Sequence, residues 1–359
     1  MTTAAQHSKF TTFFFTLPQN LAASEPPETR GLSRSAVRMM VIDRASGEIR
    51  HSVFKNLASF LKKGDLLIFN SSRTLPASLF GRDVKSGKKM EVRLAEHLPD
   101  DAWLALLLPR EGEELLGGSS FEGMWIEFGH GLSCSVSSKD DQIPRLWRVR
   151  FSASGAQLTS LIYELGRPIR YEHVPLPWSL DHYQNVYANR PGSSEMPSAG
   201  RAFTWKMLFD LKSKAGIDTT NIVLHTGLSS YMDDRLDAEH PISEEEYTIG
   251  SSAARKINRA RSKRNRIIAI GTTVVRALES GAARDGTVFP CHGYTRLHIT
   301  REYNLKLVDG LLTGLHEPQA SHLDLLQAFL PEKSLYRAYQ EAVKLGYLWH
   351  EFGDLNLIV

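Results

Sequence analysis

The side chains best suited to chemistry lie in a few short stretches of a 359-residue chain. Residues 265–280 read NRIIAIGTTVVRALES, where Ile267, Ile268, Ala269 and Ile270 form an uninterrupted apolar run. That is the pattern of a strand buried on both faces of a parallel sheet. Gly271 supplies a tight turn, and Thr272 and Thr273 stand where a helix N-cap is expected. Val274, Val275 and Leu278 mark one flank of the helix that follows, with Arg276 and Glu279 on another. Backbone N–H groups and hydroxyls gathered at a helix start, just past the carboxyl end of a strand, suit an anion or polar ligand. An ordinary capped β–α turn has the same pattern, and both readings stay open at this point.

Residues 221–231, NIVLHTGLSSY, repeat the theme, with His225 at the end of an apolar run. Ligands of α/β folds sit at such strand ends, and histidine ionises in the range useful for acid–base work. A buried histidine bonded to backbone is the competing reading. In residues 237–247, DAEHPISEEEY, His240 is flanked by Glu239 and by Glu244, Glu245 and Glu246. Carboxylates beside a histidine can supply a base and its orienter. Equally, Pro241 followed by Ser243, with Glu246 three residues on, reads as a helix start with a capping box. Residues 196–204, MPSAGRAFT, look like a loop closing on a ligand: Pro197 restrains it, Ser198 offers a hydroxyl, Gly200 allows close approach and Arg201 can pair with a carboxylate or phosphate. The same residues can simply feed a helix beginning near Thr204. Residues 255–266 carry Arg255, Lys256, Arg259, Arg261, Lys263, Arg264 and Arg266 with no acid among them. Such a run neutralises phosphates or forms a solvated helix face.

The elements that must hold these groups follow from texture. Apolar content of 42% and charged content of 23% are those of a soluble globular protein, and the length allows two domains. A net charge of +3 makes no global demand for nucleic acid. Cys134 and Cys291 are too few for a disulfide framework or zinc ribbon, which implies a reducing compartment. Phe13, Phe14 and Phe15 are cut short by Pro18, too soon for a signal segment or membrane span, so a cytoplasmic protein is expected. Residues 1–12 read as a disordered tail. Apolar runs at 38–43, 49–54 and 65–70 read as strands, with a short helix at 57–61. From 74 to 154, short apolar runs recur between Gly, Asp and Ser clusters with no helical period, the pattern of a small β-barrel. Helical spacing returns at 156–165, 204–215 and 251–263, alternating with the runs at 221–225 and 267–270. The expected fold is therefore α/β: a mixed-sheet domain formed by 13–73 and 155–359, interrupted by an all-β barrel at 74–154. G-x-G-x-x-G after a strand, Walker A, G-x-S-x-G, HExxH and CxxC are all missing, so the commonest nucleotide, hydrolase and metal-site readings lack support.

Taken together, LPQNLAASEPPETR, VIDRASGEIRHSVF, GDLLIFNSSRTLPASLFG, YQNVYANRPGS, PSAGRAFT, LHTGLSSY, IAIGTTVVRALES, TGLHEP and FGDLNLI, in this order, resemble the S-adenosylmethionine:tRNA ribosyltransferase-isomerase family of queuosine biosynthesis. The resemblance runs from Leu17 to Val359. It implies an α/β domain with an inserted barrel. It also implies transfer and isomerisation of the ribosyl group of S-adenosylmethionine onto a 7-aminomethyl-7-deazaguanine in tRNA, giving epoxyqueuosine, adenine and methionine. S-adenosylmethionine is then a substrate and tRNA the partner, with no metal, no membrane, and a monomer or weak oligomer. The chemistry needs a base for the C5′ hydrogen beside the sulfonium and proton donation as adenine leaves.

On this resemblance His225 is the expected base, with His316 or the Glu244–Glu245 pair next. Thr272, Thr273 and Arg276, with Gly271, are expected to hold donor or phosphate oxygens, and Ser198, Gly200 and Arg201 to cover the ligand from the other side. Asn70, Arg73, Tyr187, His240 and Asp354 complete the substrate-binding set. The chain departs from the family pattern at Arg201 and Ala202, which replace a Leu-His pair, and at Ser243, which replaces a second histidine. It departs again at Gly314, Glu317, Gln319 and Ala320, and at Ser71 and Ser78. Two other readings accompany the family reaction: a paralogue using the same donor on another acceptor, and a non-catalytic nucleoside- or RNA-binding relative. All require one geometry, in which two neighbouring strands bring Gly271–Thr273 and His225 to a shared cleft.

Overall fold

The computed structural model describes residues 15–110, 120–238, 243–318 and 320–359. The expected tail and His240 lie outside the described residues. Strands β1 (Arg38–Ile42), β2 (Ile49–Val53), β3 (Leu66–Asn70) and the short β4 (Ser72–Thr74) come first. Next come β5 (Ser78–Asp83), β6 (Lys89–His97), β7 (Trp103–Pro109), β8 (Trp125–Gly129), β9 (Leu132–Lys139) and β10 (Leu146–Phe151). Helix α1 (Gly155–Leu165) leads to β11 (Arg190–Ser193), α2 (Trp205–Ser213), β12 (Asp218–Leu224) and α3 (Asp234–Ala238). Then follow β13 (Glu245–Ile249), α4 (Ser251–Ser262), β14 (Ile267–Ile270), α5 (Thr272–Gly281), β15 (Cys291–Thr295) and β16 (Gly310–Gly314). Helices α6 (Ser321–Gln327) and α7 (Glu332–Lys344) precede the last strand, β17 (Leu355–Ile358).

β5 to β10 close on themselves as an antiparallel barrel, in the order β10-β7-β6-β5-β8-β9. The other principal sheet has nine strands, ordered β15-β13-β12-β3-β14-β16-β17-β1-β2. Its centre is parallel: β3 pairs in parallel with both β12 and β14, and β14 with β16. The expected mixed sheet with an inserted barrel is what forms. The apolar runs explain why. In β3, Leu66 and Ile68 join the core on one face while Leu67 and Phe69 join the core on the other. In β14, Ile267 and Ala269 face the first core, and Ile268 and Ile270 the second. Strands covered on both faces need apolar residues at every position. Among the described residues no helix is long and apolar enough to cross a membrane.

Three local expectations change. The capping-box pattern around Ser243 does not open a helix, because residues 245–249 form β13, with Glu245, Tyr247 and Ile249 turned inward and pairing to β12 and β15 on either side. Alternating burial and two ladders outweigh a local cap signal. Gly271, at φ +101°, is the N-cap of α5, so Thr272 and Thr273 are its first two helical residues. The turn at 54–60 is a 3₁₀ helix and not an α-helix.

Because β3, β12, β14 and β16 run the same way, their carboxyl ends share one edge of the sheet. β13 pairs antiparallel with β12, and β17 antiparallel with β16, so their amino ends reach that edge too.

Candidate active site

His225 follows β12, Asn70 ends β3 and Gly271 follows β14. The two strands expected to cooperate are therefore not neighbours but flank β3. Asn70 is what joins them. Its Nδ2 donates to Leu224 O at 2.7 Å, and its Oδ1 accepts from Leu224 N at 3.0 Å and from Ser72 N at 3.0 Å. A longer 3.5 Å contact runs from Nδ2 to Thr273 Oγ1. The side chain is 1% exposed and continues the β3–β12 ladder one step past the end of β3. With these bonding positions occupied, Asn70 positions the site and leaves little for a ligand.

The His225 ring lies against β11. A Cβ on Gly192 would stand 2.4 Å from His225 Nδ1, so only glycine leaves room for the ring. Ser72 Oγ is 2.7 Å from Nδ1 and 2.5 Å from Ser193 Oγ, which also accepts Thr226 N–H at 3.0 Å. Every hydroxyl proton in this buried chain finds an acceptor only if Ser193 donates to Ser72 and Ser72 to Nδ1. That network assigns the ring proton to Nε2. Burial is the main cause that holds the His225 pKa below its ordinary value, against an upward pull from Glu246, so the ring is neutral at pH 7.

Two acids that motif reading did not single out reach the same edge. Glu195 precedes the Pro197-Ser198 turn. Its carboxylate accepts from the Tyr171 hydroxyl and from Ser229 N at 2.7 Å, and its carbonyl accepts from Thr226 Oγ1 at 2.5 Å. Burial raises its pKa to about 7. Glu96, at the end of barrel strand β6, is raised to about 8, first by burial and then by Glu244 and Glu245 facing it. The only hint in sequence was an acid inside GSSEMPSAG and another beside His97.

Other expected site residues separate clearly. Glu245 forms an ion pair with Arg276, which also donates to Leu297 O at 3.1 Å, so the two neutralise each other. Glu244 sits 3.5 Å from Arg296. Arg201 is 3% exposed and bound to Glu28 at 2.9 Å and His182 O at 2.7 Å, an internal brace and not a free anion binder. Gly200 makes way for Tyr187, whose hydroxyl would lie 1.7 Å from a Cβ there, and Tyr187 itself packs edge-on against Phe69 in the core. Arg73 lies beside Tyr163 of α1. Asp354 accepts from Arg38 N at 2.7 Å and Leu348 N at 2.8 Å. His316 bonds Thr313 Oγ1 at 2.8 Å and stacks on His322, and burial holds its pKa well below the ordinary value.

Ala199 of the Pro197-Ser198 turn packs toward Gly271, bringing that turn to the start of α5. Beside it Arg34, Ser198, Arg201, Gly314, Glu351 and Asp354 line a cleft with a cavity volume of only about 10 Å³, room for one water. A nucleoside-sized donor must therefore lie along the edge itself or part these walls. Three positions that depart from the family pattern, Arg201, Ala202 and Gly314, meet in this cleft.

Comparison with known proteins identifies the family. Residues 10–358 match the family model described as queuosine biosynthesis protein. An S-adenosylmethionine:tRNA ribosyltransferase-isomerase of Carboxydothermus hydrogenoformans is 35% identical over 357 residues, covering 98% of this chain and 100% of that one. One from Heliobacterium modesticaldum is 36% identical over 352 residues, covering 96% and 98%. The crystal structure of an S-adenosylmethionine tRNA ribosyltransferase from Thermotoga maritima superposes with a TM-score of 0.54 at 29% identity, covering 97% of this chain and 100% of that one. The chain belongs to the queuosine biosynthesis protein family.

Proposed function

We propose that the protein transfers and isomerises the ribosyl moiety of S-adenosylmethionine onto a 7-aminomethyl-7-deazaguanine in tRNA, giving epoxyqueuosine and releasing adenine and methionine. The observation that carries this reading is the linkage of His225, Asn70 and Thr273 at one sheet edge, in a chain similar over nearly its full length to enzymes of that name. The first N–H groups of α5, at Thr272 and Thr273, have no acceptor within their own helix and point to where a polar ligand would lie. His225, neutral with its proton on Nε2, donates a hydrogen bond to the departing adenine. Glu195, with a pKa of about 7, is the proton carrier and is matched to removing the hydrogen beside the sulfonium. Residues 13–73 and 155–359 form the catalytic domain in this reading, and 74–154 is the barrel that brings Glu96 to its edge. The reaction balances without a metal. A tRNA acceptor implies a cytoplasmic enzyme, acting as a monomer or weak oligomer.

The test is incubation with S-adenosylmethionine, with and without tRNA carrying the aminomethyl base, followed by chromatography of the products. Adenine released in step with modified tRNA is expected. No adenine under either condition overturns the reading, and adenine released equally without tRNA shows a different acceptor.

A further inference from the structure

We infer that His173, His350 and Glu351 form a binding site for a divalent transition-metal cation of the zinc class. One ligand atom from each residue lies within 4.8 Å of those of the other two. His173 Nε2 is 2.9 Å from Glu351 Oε2, and the two imidazoles stack with centroids 4.0 Å apart and planes at 17°. Glu317 Oε1 stands 3.4 Å from His350 Nε2. Two imidazoles and a carboxylate are a common donor set for zinc, and a second carboxylate brings the charge to −2 when the rings are neutral. In a tetrahedral site the ligand atoms lie about 3.3 Å apart, so binding asks for side-chain shifts of about an ångström.

The backbone presents these rings from fixed positions. His350 has φ +70°, the left-handed region that non-glycine residues seldom occupy. It is held there between Trp349 and Phe352, both almost completely buried, with Trp349 Nε1 donating to His316 O at 3.0 Å. An ordinary histidine–carboxylate pair needs no second ring: His130, also at positive φ (+48°), and Glu164 make one at 2.8 Å with a single, exposed imidazole. Two stacked imidazoles, one beside Glu351 and the other beside Glu317, gather more donor atoms than a single ion pair requires. His350 and Glu351 also line the narrow cleft with Arg34, Ser198 and Asp354, so an open coordination position would face it.

The experiment needs neither donor nor tRNA, and its result is therefore independent of the proposed reaction. The full-length protein is stripped with a chelator and titrated with zinc chloride by calorimetry. Metal content is counted by mass spectrometry after gel filtration, and cobalt(II) replaces zinc for visible absorption. One equivalent of zinc per chain is expected, with intense ligand-field bands from cobalt in a four-coordinate site. His350→Ala and Glu351→Gln should weaken zinc binding by at least about 100-fold, beyond the usual cost of outer-shell changes, while His130→Ala leaves it unchanged. Absence of stoichiometric zinc in the wild-type protein overturns the assignment, as does binding undiminished in the two ligand variants. Should a variant fail to fold, the wild-type stoichiometry, the cobalt spectrum and the His130→Ala control still decide the question.

Discussion

At one edge of the nine-stranded sheet, Asn70, Ser72, Ser193 and His225 are locked in a single hydrogen-bonded group, and the adjoining cavity holds about 10 Å³. At the opposite edge, Arg44, Arg261, Arg264, Arg266 and Lys306 line a cavity of about 720 Å³. Volume and positive charge favour the second; chemistry favours the first. Arg44, Arg261, Arg266 and Lys306 of the wide cavity already have partners. Arg266 is bound to Asp65 at 2.6 Å, Arg44 donates to Asp309 O at 2.9 Å and Lys306 to Ala282 O at 2.9 Å. The narrow edge holds the neutral histidine and the carboxyl groups pushed to about 7 and 8. Groups tuned to exchange protons near neutrality locate a site better than open space does.

The largest effect that would separate the edges is on turnover. His225→Ala should lower kcat by about 10²–10⁴-fold with the circular dichroism spectrum unchanged; an unaltered rate removes His225 from the chemistry. Next, Glu195→Gln should cost about 100-fold and change the pH profile. A base with a pKa of about 7 is active only when deprotonated, so wild-type kcat should rise with pH through about 7, and the variant should lose that rise. Asn70→Ala strips partners from the buried Leu224 backbone and should destabilise the fold by about 2–4 kcal/mol, read by denaturant titration. A smaller effect concerns Glu96. Its folded pKa of about 8 lies above the ordinary 4.5, so the stability it contributes is present below about pH 4.5 and lost as pH rises through about 8. Glu96→Gln should therefore melt a few degrees higher than wild type at pH 9 and lose that advantage at pH 5. Smallest of all, Arg261→Glu with Arg264→Glu at the wide edge should leave kcat at saturating tRNA unchanged and at most soften the salt dependence of KM.

The sheet was legible because β3 and β14 are covered on both faces and must be apolar throughout. β9 was not, since its inward residues Leu132, Cys134 and Val136 alternate with serines and make no apolar run. β13 was hidden behind an acidic stretch that imitates a helix cap. His225 and Gly271–Thr273 could be placed at strand ends of one sheet edge from the sequence alone. Arg201 misled, because its partner Glu28 lies 173 residues away and no local pattern reveals it. Glu195 and Glu96 could not be ranked from sequence, since burial and distant neighbours, not residue type, raise their pKa values.

A crystal structure with S-adenosylmethionine bound separates the two edges directly. The ribose and sulfonium should lie between His225 Nε2 and the amino end of α5 at Thr272 and Thr273. Density for the donor in the wide cavity among Arg44, Arg264 and Arg266, with His225 untouched, would contradict it.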